Sequence, residues 1–371
     1  MSGSGGPLRL RHAGGETRIV VGEGCLAAAL AGCPELWQRR QVFLVSSPEV
    51  MRLQGAELAP LRELAPGLVE LEVPDGEAAK NLEVSGRLWE AMARAGGKRD
   101  SVIVAFGGGT VGDLAGFVAA TFLRGVAFVQ LPTTLLAQVD AAIGGKTAID
   151  IAAGKNLVGA FHHPALVVAE SRTLSTLPRA ELRSGLVEAI KMAALLDLEL
   201  LGRIERDLER LLAGDPEALA PVVRAAAAAK VGVVERDPFE SAERQLLNYG
   251  HTLGHALEAA AGYGAMLHGD AVAWGMRFSH RLARRRGADG AFLARVDRLL
   301  DRLGLPLPPA VALEAVIGNL ARDKKARESG LIWILPMAPG RGERVAGIGA
   351  AEVAAEAGSF LADLAAPEGP V

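Results

Sequence analysis

Three of the chain's seven histidines, His251, His255 and His268, fall within eighteen residues of one another. His251 and His255 are four residues apart, so on a helix both side chains project from the same face. Imidazoles grouped in this way can bind a metal ion. A pair of helices that carries histidines in ordinary hydrogen-bonded positions would give the same pattern. The spacing alone leaves both interpretations open.

A carboxylate that can complete a metal site lies upstream, in the segment R-S-G-L-V-E-A-I-K-M. Glu188 and Lys191 are three residues apart, so a surface ion pair on one helix face is the simple account. The apolar neighbours of Glu188 favour burial instead, where a carboxylate needs a partner or a metal. Two histidines, one carboxylate and an open position form a catalytic type of zinc site. Glu188 is therefore the natural third ligand for the region of His251 and His268.

A glycine-rich segment, F-G-G-G-T-V-G-D, follows the apolar run S-V-I-V-A and precedes a helical pattern. Gly107, Gly109 and Gly112 fit G-x-G-x-x-G, a pattern that lets the backbone approach a pyrophosphate at a helix N-terminus. The motif does not lie in the first strand-helix turn, and no acidic residue follows about twenty positions later, unlike in an ordinary Rossmann domain. A tight turn that needs small residues is the alternative.

Several cations lie where an anionic ligand can bind. Lys146 and Lys155 lie on glycine-rich loops with apolar neighbours, and Asp140 and Asn156 lie near them. Such surroundings favour a pocket for phosphate or carboxylate over a solvated surface. Further cations of the second half are Lys230, Arg244, Lys324 and Lys325. A metal centre ringed by cations, together with a nucleotide domain, suggests redox chemistry on a small anionic, polyhydroxylated substrate.

The bulk composition excludes several classes of partner. Half of the 371 residues are hydrophobic and 22% are charged, as in a soluble globular protein with room for two domains. A net charge of −3 and a pI near 6.2 give no electrostatic argument for nucleic acid or membrane. We see neither a membrane span nor the apolar core of a signal peptide. Two cysteines, Cys25 and Cys33, suit a reducing compartment, so we expect a cytoplasmic protein.

Short β-branched runs alternate with amphipathic helical patterns in the first half of the chain. The predicted strands are Arg18–Val21, Val42–Ser46, Leu68–Val73, Val102–Phe106, Val126–Leu131 and Leu166–Ala169. Helices are predicted between several of them, at Asn81–Ala95 and Val111–Thr121. This alternation predicts a mostly parallel sheet, a Rossmann-like α/β nucleotide-binding domain over residues 1–178.

The pattern changes to helical spacing from Arg179 to about Leu320, where Ala, Leu, Glu and Arg dominate. A hairpin is predicted at Leu331–Leu335 and Arg344–Ile348, and a disordered tail at Pro367–Val371. Residues 179–371 are therefore expected to form a mainly α-helical metal- and substrate-binding domain. The cleft between the two halves is the expected ligand site.

The motifs also occur in a characteristic order along the chain. They are D-G-E-A-A-K, G-G-G-T-V-G-D-L-A-G-F, L-R-G-V, P-T-T-L-L-A-Q-V-D, G-G-K-T, G-K-N-L-V-G-A-F, G-L-V-E-A-I-K, L-L-N-Y-G-H-T-L-G-H-A-L-E, H-G-D-A-V-A-W-G-M and D-K-K. From about Asp75 to Leu335 the chain resembles the 3-dehydroquinate synthases, a family of the sugar phosphate cyclase superfamily. So many matches in order are specific, although no single one would be.

The resemblance implies a role for each matching residue. The metal, Zn²⁺ or Co²⁺, would be bound by Glu188, His251 and His268. NAD would contact Asp75, Gly76, Glu77, Ala78, Ala79, Lys80, Gly109, Thr110, Val111, Gly112, Asp113, Thr133, Thr134, Lys146, Lys155, Thr173, Leu174, Ser175 and Thr176. The catalytic residues would be Asp140, Lys146, Lys191, Arg244, Asn248 and His255, and the substrate-binding residues Arg124, Asn156, Lys230, Lys324 and Lys325.

The resemblance implies a lyase of the shikimate pathway, which leads to chorismate and the aromatic amino acids, usually as a homodimer. Its substrate would be a phosphorylated sugar acid, 3-deoxy-D-arabino-heptulosonate 7-phosphate, and its products 3-dehydroquinate and phosphate. NAD would transiently oxidise the C5 hydroxyl, with zinc as Lewis acid. Elimination of phosphate, reduction, ring opening and an aldol closure would follow.

Three positions depart from the family pattern. Asp270 replaces the usual glutamate, Asp150 lies where asparagine is common, and Tyr249 lies where phenylalanine or leucine is common. Three other functions are the rivals. They are another sugar phosphate cyclase, a metal- and NAD-dependent polyol dehydrogenase that releases NADH, and a non-catalytic relative. Because every expected ligand and cation is present, the last is the least favoured.

Overall fold

The contacts within the chain divide it into two compact units. The computed structural model describes residues 6–262, 264–326 and 331–365, with only the backbone for 323–326. The first unit comprises Met1–Gly185 and Glu209–Pro238, and the second Leu186–Leu208 and Phe239–Val371. The predicted domain boundary after Pro178 stays a prediction. The predicted disordered tail lies outside the described residues.

A seven-stranded sheet forms the centre of the first unit. The strands of this unit are β1 (Leu8–His12), β2 (Gly15–Gly22), β3 (Val42–Ser46), β4 (Val69–Glu72), β5 (Val102–Gly107), β6 (Ala127–Pro132), β7 (Lys146–Ile151), β8 (Gly154–Phe161) and β9 (Leu166–Glu170). The order in the sheet is β1-β2-β9-β6-β5-β3-β4. Strand β1 is antiparallel to β2, and the other neighbours are parallel. Strands β7 and β8 form a separate antiparallel hairpin.

The central strands are continuous apolar runs because both of their faces are covered. In β3, Phe43 and Val45 point into one core layer, and Val42 and Leu44 point into the other. The helices that begin in this unit are α1 (Leu26–Ala31), α2 (Pro48–Gln54), α3 (Ala59–Leu64), α4 (Leu82–Arg94), α5 (Gly109–Thr121), α6 (Arg179–Leu196) and α8 (Pro216–Arg236). Helices α4 and α5 contribute to the first layer, and α1 and α3 to the second.

The second unit is mainly helical. Its elements after α7 (Leu198–Leu212) are α9 (His251–Ala261), α10 (His268–Arg284), α11 (Gly290–Arg302), α12 (Leu313–Ala326), β10 (Ile332–Ala338), β11 (Arg341–Ala346) and α13 (Ala350–Ala365). Strands β10 and β11 form the predicted late hairpin. In the described part of the chain, no helix has the length and apolar character to cross a membrane.

The predicted fold class, a Rossmann-like α/β region followed by a helical region, is confirmed. The assignment of Lys146 and Lys155 to glycine-rich loops is wrong, because both residues lie in the hairpin of β7 and β8. The reason lies in the alternation within β7, where Thr147 and Ile149 are buried and the strand packs against α5. The turn glycines Gly144, Gly145 and Gly154 have positive φ, and a Cβ on Gly159 inside β8 would overlap the carbonyl oxygen of Thr147.

Candidate active site

The four residues of the expected metal region lie together in the second unit. Oε1 of Glu188 lies 3.4 Å from Nε2 of His268 and 3.7 Å from Nε2 of His251. Ligand atoms of His251, His255 and His268 lie within 4.8 Å of one another. Glu188 is on α6, while His251 and His268 are the first residues of α9 and α10. The arrangement can hold a divalent metal with a catalytic set of nitrogen and oxygen ligands.

Glycines bring the two histidine helices into close contact. A Cβ atom on Gly275 would overlap the carbonyl oxygen of Gly250, and one on Gly254 would lie 3.0 Å from the carbonyl oxygen of Ala271. Gly250, which has a φ of 85°, also precedes α9 in a conformation that favours glycine. The start of α9 therefore packs on the middle of α10, and this backbone contact fixes the separation of the two histidines.

Glu188 and Lys191 form a buried ion pair rather than a surface pair. Their side chains are only 1% and 2% exposed. A buried pair of this kind is retained more for the arrangement of charge than for stability. The simple surface account is therefore wrong, and the expectation that Glu188 is buried with a partner is confirmed.

The two histidines differ in protonation. Burial, followed by the nearby Lys191 ammonium, lowers the pKa of His251 well below its usual value. Burial also acts to lower the pKa of His268, but hydrogen bonds to Glu188 and Glu258 outweigh it and raise the pKa to about 10. A bound metal would displace the proton that His268 shares with Glu188, because a metal ligand must be deprotonated.

Each histidine also has a partner for its second nitrogen. Nδ1 of His268 lies 3.2 Å from Oε2 of Glu258, and Nδ1 of His251 lies 3.3 Å from the carbonyl oxygen of Tyr249. Such partners fix the tautomer and leave Nε2 free to face a metal. Sequence analysis assigned no role to Glu258. The sequence pattern that could have identified Glu258 is its position seven residues after His251, on the same face of α9.

His255 lies beside this cluster but is exposed. Its ring centroid lies 5.2 Å from that of His251 and 5.7 Å from that of His268. The structure therefore brings together both the i,i+4 histidine pair and the set that includes Glu188. The choice of which three of these four residues bind the metal stays a prediction.

The other predicted residues of the second unit lie just before α9 or on α12. Arg244 is buried in a short 3₁₀ helix, Glu243–Asn248. At the end of this helix, the side chain of Asn248 donates a hydrogen bond of 2.5 Å to Oε1 of Glu240. Lys324 and Lys325 are on α12, but their side chains lie outside the described part of the chain.

Lys230 and Asp140 form a second buried group, which belongs to the first unit. The ammonium group of Lys230 donates a hydrogen bond of 2.5 Å to the backbone carbonyl of Asp140 and contacts its carboxylate. Lys230 comes from α8, and Asp140 from a π-helical turn, Ala137–Ala141. Sequence analysis placed Lys230 with the histidines in the second half, whereas the residue belongs to the sheet unit and contacts Asp140 there.

A charge network connects the predicted NAD residues of the first unit. Lys80 is buried and donates hydrogen bonds to Asp113 at 2.8 Å and to Asn156 at 2.5 Å. Burial raises the pKa of Asp113, and the Lys80 ammonium opposes this. Lys155 lies 3.3 Å from Glu77. Burial acts to raise the pKa of Glu77, but Lys80 and Lys155 together lower it.

Asp150, one of the departures from the family pattern, shapes the β7–β8 hairpin. Its carboxylate accepts a hydrogen bond of 2.8 Å from the backbone N–H of Asn156, whose φ is 57°. Burial raises the pKa of Asp150, and the hydrogen bond from Asn156 opposes it. Asp150 therefore holds the strained backbone that carries both Lys155 and Asn156.

Close packing accounts for part of the glycine-rich motif. A Cβ on Gly112 would lie 2.5 Å from the side-chain oxygen of Gln130, and one on Gly108 would lie 3.0 Å from Thr134. Gly108 is the N-cap residue of α5, directly after β5. Both positions therefore need a small residue, and the cofactor contacts at the start of α5 stay a prediction.

The remaining predicted contacts of the first unit differ in exposure. Thr133 and Thr173 are buried, and the hydroxyl of Thr173 donates to the carbonyl of Glu170 at 2.7 Å. Ser175 and Thr176 are exposed at the end of a 3₁₀ helix, Ser171–Thr176. Arg124 is exposed in a turn with a left-handed φ of 68°, a strain typical of functional positions.

Solved structures with this fold include sugar phosphate cyclases and, at 15–18% identity, iron-containing alcohol dehydrogenases and glycerol dehydrogenases. A 2-deoxy-scyllo-inosose synthase, complexed with carbaglucose-6-phosphate, NAD⁺ and Co²⁺, has a TM-score of 0.84 at 28% identity, covering 91% of this chain and 94% of that chain. A 2-epi-5-epi-valiolone synthase from Streptomyces hygroscopicus, with NAD⁺ and Zn²⁺ bound, has a TM-score of 0.83 at 30% identity, covering 93% and 96%. The dehydrogenases have lower TM-scores, 0.62–0.68, so the comparison favours the cyclases as the class of this enzyme.

Within that class, two family profiles match consecutive parts of the chain. The 3-dehydroquinate synthase N-terminal profile matches residues 70–184, and the C-terminal profile matches residues 185–326. The 3-dehydroquinate synthase of Geobacter metallireducens is 46% identical over 328 residues, which are 85% of this chain and 89% of that protein. The chain belongs to the 3-dehydroquinate synthase family, and it is an enzyme of the lyase class.

Proposed function

We propose that the chain converts 3-deoxy-D-arabino-heptulosonate 7-phosphate to 3-dehydroquinate and phosphate. The observation that carries the proposal is the group of Glu188, in the middle of α6, with His251 and His268, at the starts of α9 and α10. Lys191 is paired to the carboxylate. Family membership over most of the chain supports the same reaction. This step belongs to the shikimate pathway, which supplies chorismate and the aromatic amino acids.

The proposed cofactors are NAD and a divalent metal, Zn²⁺ or Co²⁺. The donor set of two imidazoles and one carboxylate fits such a metal, because the nitrogen and oxygen atoms already converge within a few ångströms. Bound NAD supplies a reversible hydride acceptor, and the bound metal supplies a Lewis acid for a substrate hydroxyl. Overall, the reaction neither gains nor loses electrons, so no NADH accumulates.

Residues of the second unit would orient the substrate. The buried Arg244 and the adjacent Asn248 would bind its oxygens, Arg244 by charge and Asn248 by hydrogen bonds. The exposed His255 would face the substrate as a polar group or proton relay, since its ring stands beside the proposed ligands. Lys191 would hold the charge of Glu188 and position a substrate hydroxyl. Lys324 and Lys325 would add further positive charge.

Residues of the first unit would bind NAD and the remaining anionic groups. The proposed NAD contacts are the start of α5 and the network around Lys80, with Thr133, Thr134 and the segment 173–176. Lys230 would be presented to the substrate by Asp140, and Arg124 and Asn156 would bind further substrate oxygens. Lys146 would neutralise negative charge during elimination of phosphate. Much of the rate would come from such orientation.

A homodimer in the cytoplasm is also part of the proposal. Both cysteines are free, and Cys33 is buried, as expected of a protein in a reducing compartment. Ile151, Leu157, Val158 and Phe161 expose apolar surface on the β7–β8 hairpin. A second copy of the chain is the partner we expect for the dimer, and sedimentation equilibrium would measure it.

One assay tests the proposed reaction against its rivals. Purified protein with zinc, a trace of NAD⁺ and the heptulosonate phosphate should release phosphate and 3-dehydroquinate in equal amounts, without NADH accumulation. Accumulating NADH would indicate a polyol dehydrogenase. Turnover of a different sugar phosphate, with none of this one, would indicate a sister cyclase. Either result would contradict the proposal.

A further inference from the structure

A chain of polar side chains crosses the second unit and ends beside the metal cluster. Arg284 donates a hydrogen bond of 2.7 Å to Oδ2 of Asp297, and the other carboxylate oxygen lies 2.6 Å from Nδ1 of His280. Nε2 of His280 contacts the hydroxyl of Tyr249. Tyr249 and His280 are completely buried, whereas Arg284 reaches the surface. Arg284, Asp297 and His280 form what we call the α10–α11 relay, which ends at the hydroxyl of Tyr249.

The direction of each hydrogen bond in the relay follows from the ionised state of the Asp297 carboxylate. Burial acts to raise the pKa of Asp297, but His280 and Arg284 outweigh it and lower the pKa, so the group is an ionised acceptor. Nδ1 of His280 must then donate, and the tautomer that carries its proton on Nδ1 leaves Nε2 to accept from the hydroxyl of Tyr249.

Tyr249 occupies the junction between two parts of the proposed site. It follows the 3₁₀ helix that carries Arg244 and Asn248, and it precedes Gly250 and α9. Its backbone N–H donates to the carbonyl of Leu246 at 3.1 Å. Its own carbonyl oxygen lies 3.3 Å from Nδ1 of His251. Anchoring the ring therefore also fixes the peptide group that accepts from His251.

We propose that Tyr249 is a positioning residue of the metal centre, tethered by the α10–α11 relay. The relay anchors the ring from α10 and α11, and the carbonyl of Tyr249 then orients His251 so that its Nε2 faces Glu188. This inference rests on the proposed function, because it takes His251 as a metal ligand. It adds that metal affinity depends on side chains that never touch the metal.

Packing alone would give a different result on substitution. Tyr249→Phe keeps the ring and its apolar contacts and removes one hydroxyl, so a residue that only fills the core would leave the metal site unchanged. If the hydroxyl acts as a tether, its removal would change the orientation of His251. Metal binding would then weaken, and the ligand field of the bound metal would change. The free energy of unfolding cannot separate the two, since both accounts leave Nε2 of His280 buried without a donor.

The experiment measures metal binding by apoprotein. The zinc dissociation constant would be obtained by competition with a chromogenic chelator, and the visible absorption of the Co²⁺ form would report ligand geometry. Tyr249→Phe is expected to raise the dissociation constant about 10-fold and to change the Co²⁺ spectrum. The matched control is Ser279→Ala, which removes a buried hydroxyl beside His280 that donates only to the carbonyl of Gly275, within its own helix. The control should match the wild type.

A second variant addresses the far end of the relay. Asp297→Asn should weaken zinc binding in the same direction by a smaller factor, because it loosens His280 rather than Tyr249. The double variant should bind zinc no more weakly than Tyr249→Phe alone, since the tyrosine hydroxyl is the connection between them. Independent structural damage would instead make the two effects add, and additivity would overturn the inference.

The outcomes separate this inference from the proposed function. If the wild-type protein binds zinc and Tyr249→Phe binds it with the same affinity and the same Co²⁺ spectrum, the tether is wrong while the metal site stands. If the wild-type protein binds no zinc, the proposed metal centre fails, and the inference fails with it.

Discussion

The metal cluster of the second unit and the charge network of the first are held in different ways. His251 and His268 project from α9 and α10, whose backbones pack against each other through glycine, and Glu188 projects toward them from α6. Lys155 and Glu77, in contrast, are partly exposed and belong to a hairpin and a short 3₁₀ turn. The histidines of the first group are thus held by backbone packing that involves no charge. The second is held largely by its own ion pairs, so its geometry depends on charge.

Gly275→Ala should disrupt the packing of α9 against α10 at the metal cluster and have the largest effect of the substitutions. The added Cβ would overlap the carbonyl of Gly250, so α9 and α10 must separate. We expect the free energy of unfolding in urea to fall by about 3 kcal/mol, with weaker zinc binding. Gly318→Ala is the control on α12, where a Cβ meets open space, and it should add about 1 kcal/mol. Equal effects of the two variants would contradict the packing account.

Lys80→Met should disturb the charge network with a smaller loss of stability. The substitution leaves the Asp113 carboxylate without its cation, at a cost of about 1–3 kcal/mol. It should also raise the dissociation constant for NAD⁺, measured by calorimetry, while zinc binding to the apoprotein stays unchanged. Lys98→Met, at an exposed lysine, is the control. If NAD⁺ bound equally well to both variants, Lys80 would have no role at the cofactor.

Asp150→Asn should give the smallest effect, and the size of that effect depends on pH. Because burial raises the pKa of Asp150 above its usual 3.8, the folded protein keeps this proton over a range where the unfolded chain has lost it. The stability of the wild type therefore falls as the pH rises through that range, and asparagine removes this loss. Unfolding free energies of both proteins at a series of pH values check this. A constant difference between the two curves would refute it.

The fold was largely predictable because its signals are local. Continuous apolar runs predicted the buried strands, and helical spacing predicted the helices that follow Arg179. The β7–β8 hairpin was missed because its glycines and lysines resemble loop sequence, and the pairing of Lys146 with Phe161 is a contact that local patterns do not contain. Likewise, helical periodicity cannot reveal that α8 packs in the sheet unit, against Asp140.

The candidate site was predictable in its residue types but not in its connections. The histidine spacing and the buried surroundings of Glu188 pointed to a metal, and motif order distinguished the family. Asp297 and His280 gave no signal, because their roles arise from a tertiary contact between α10 and α11. Helical spacing grouped His251 with His255. It could not show that Glu188, which comes from a different helix, lies 3.4 Å from His268.

The ligand set of the metal is the central claim, and zinc content measures it most directly. We would compare the wild type with Glu188→Gln, His268→Ala and His255→Ala after dialysis against trace zinc. The wild type and His255→Ala should retain stoichiometric zinc, with His255→Ala losing only activity. Glu188→Gln and His268→Ala should lose both metal and activity while remaining folded. Loss of zinc from His255→Ala together with full retention by Glu188→Gln would contradict this account.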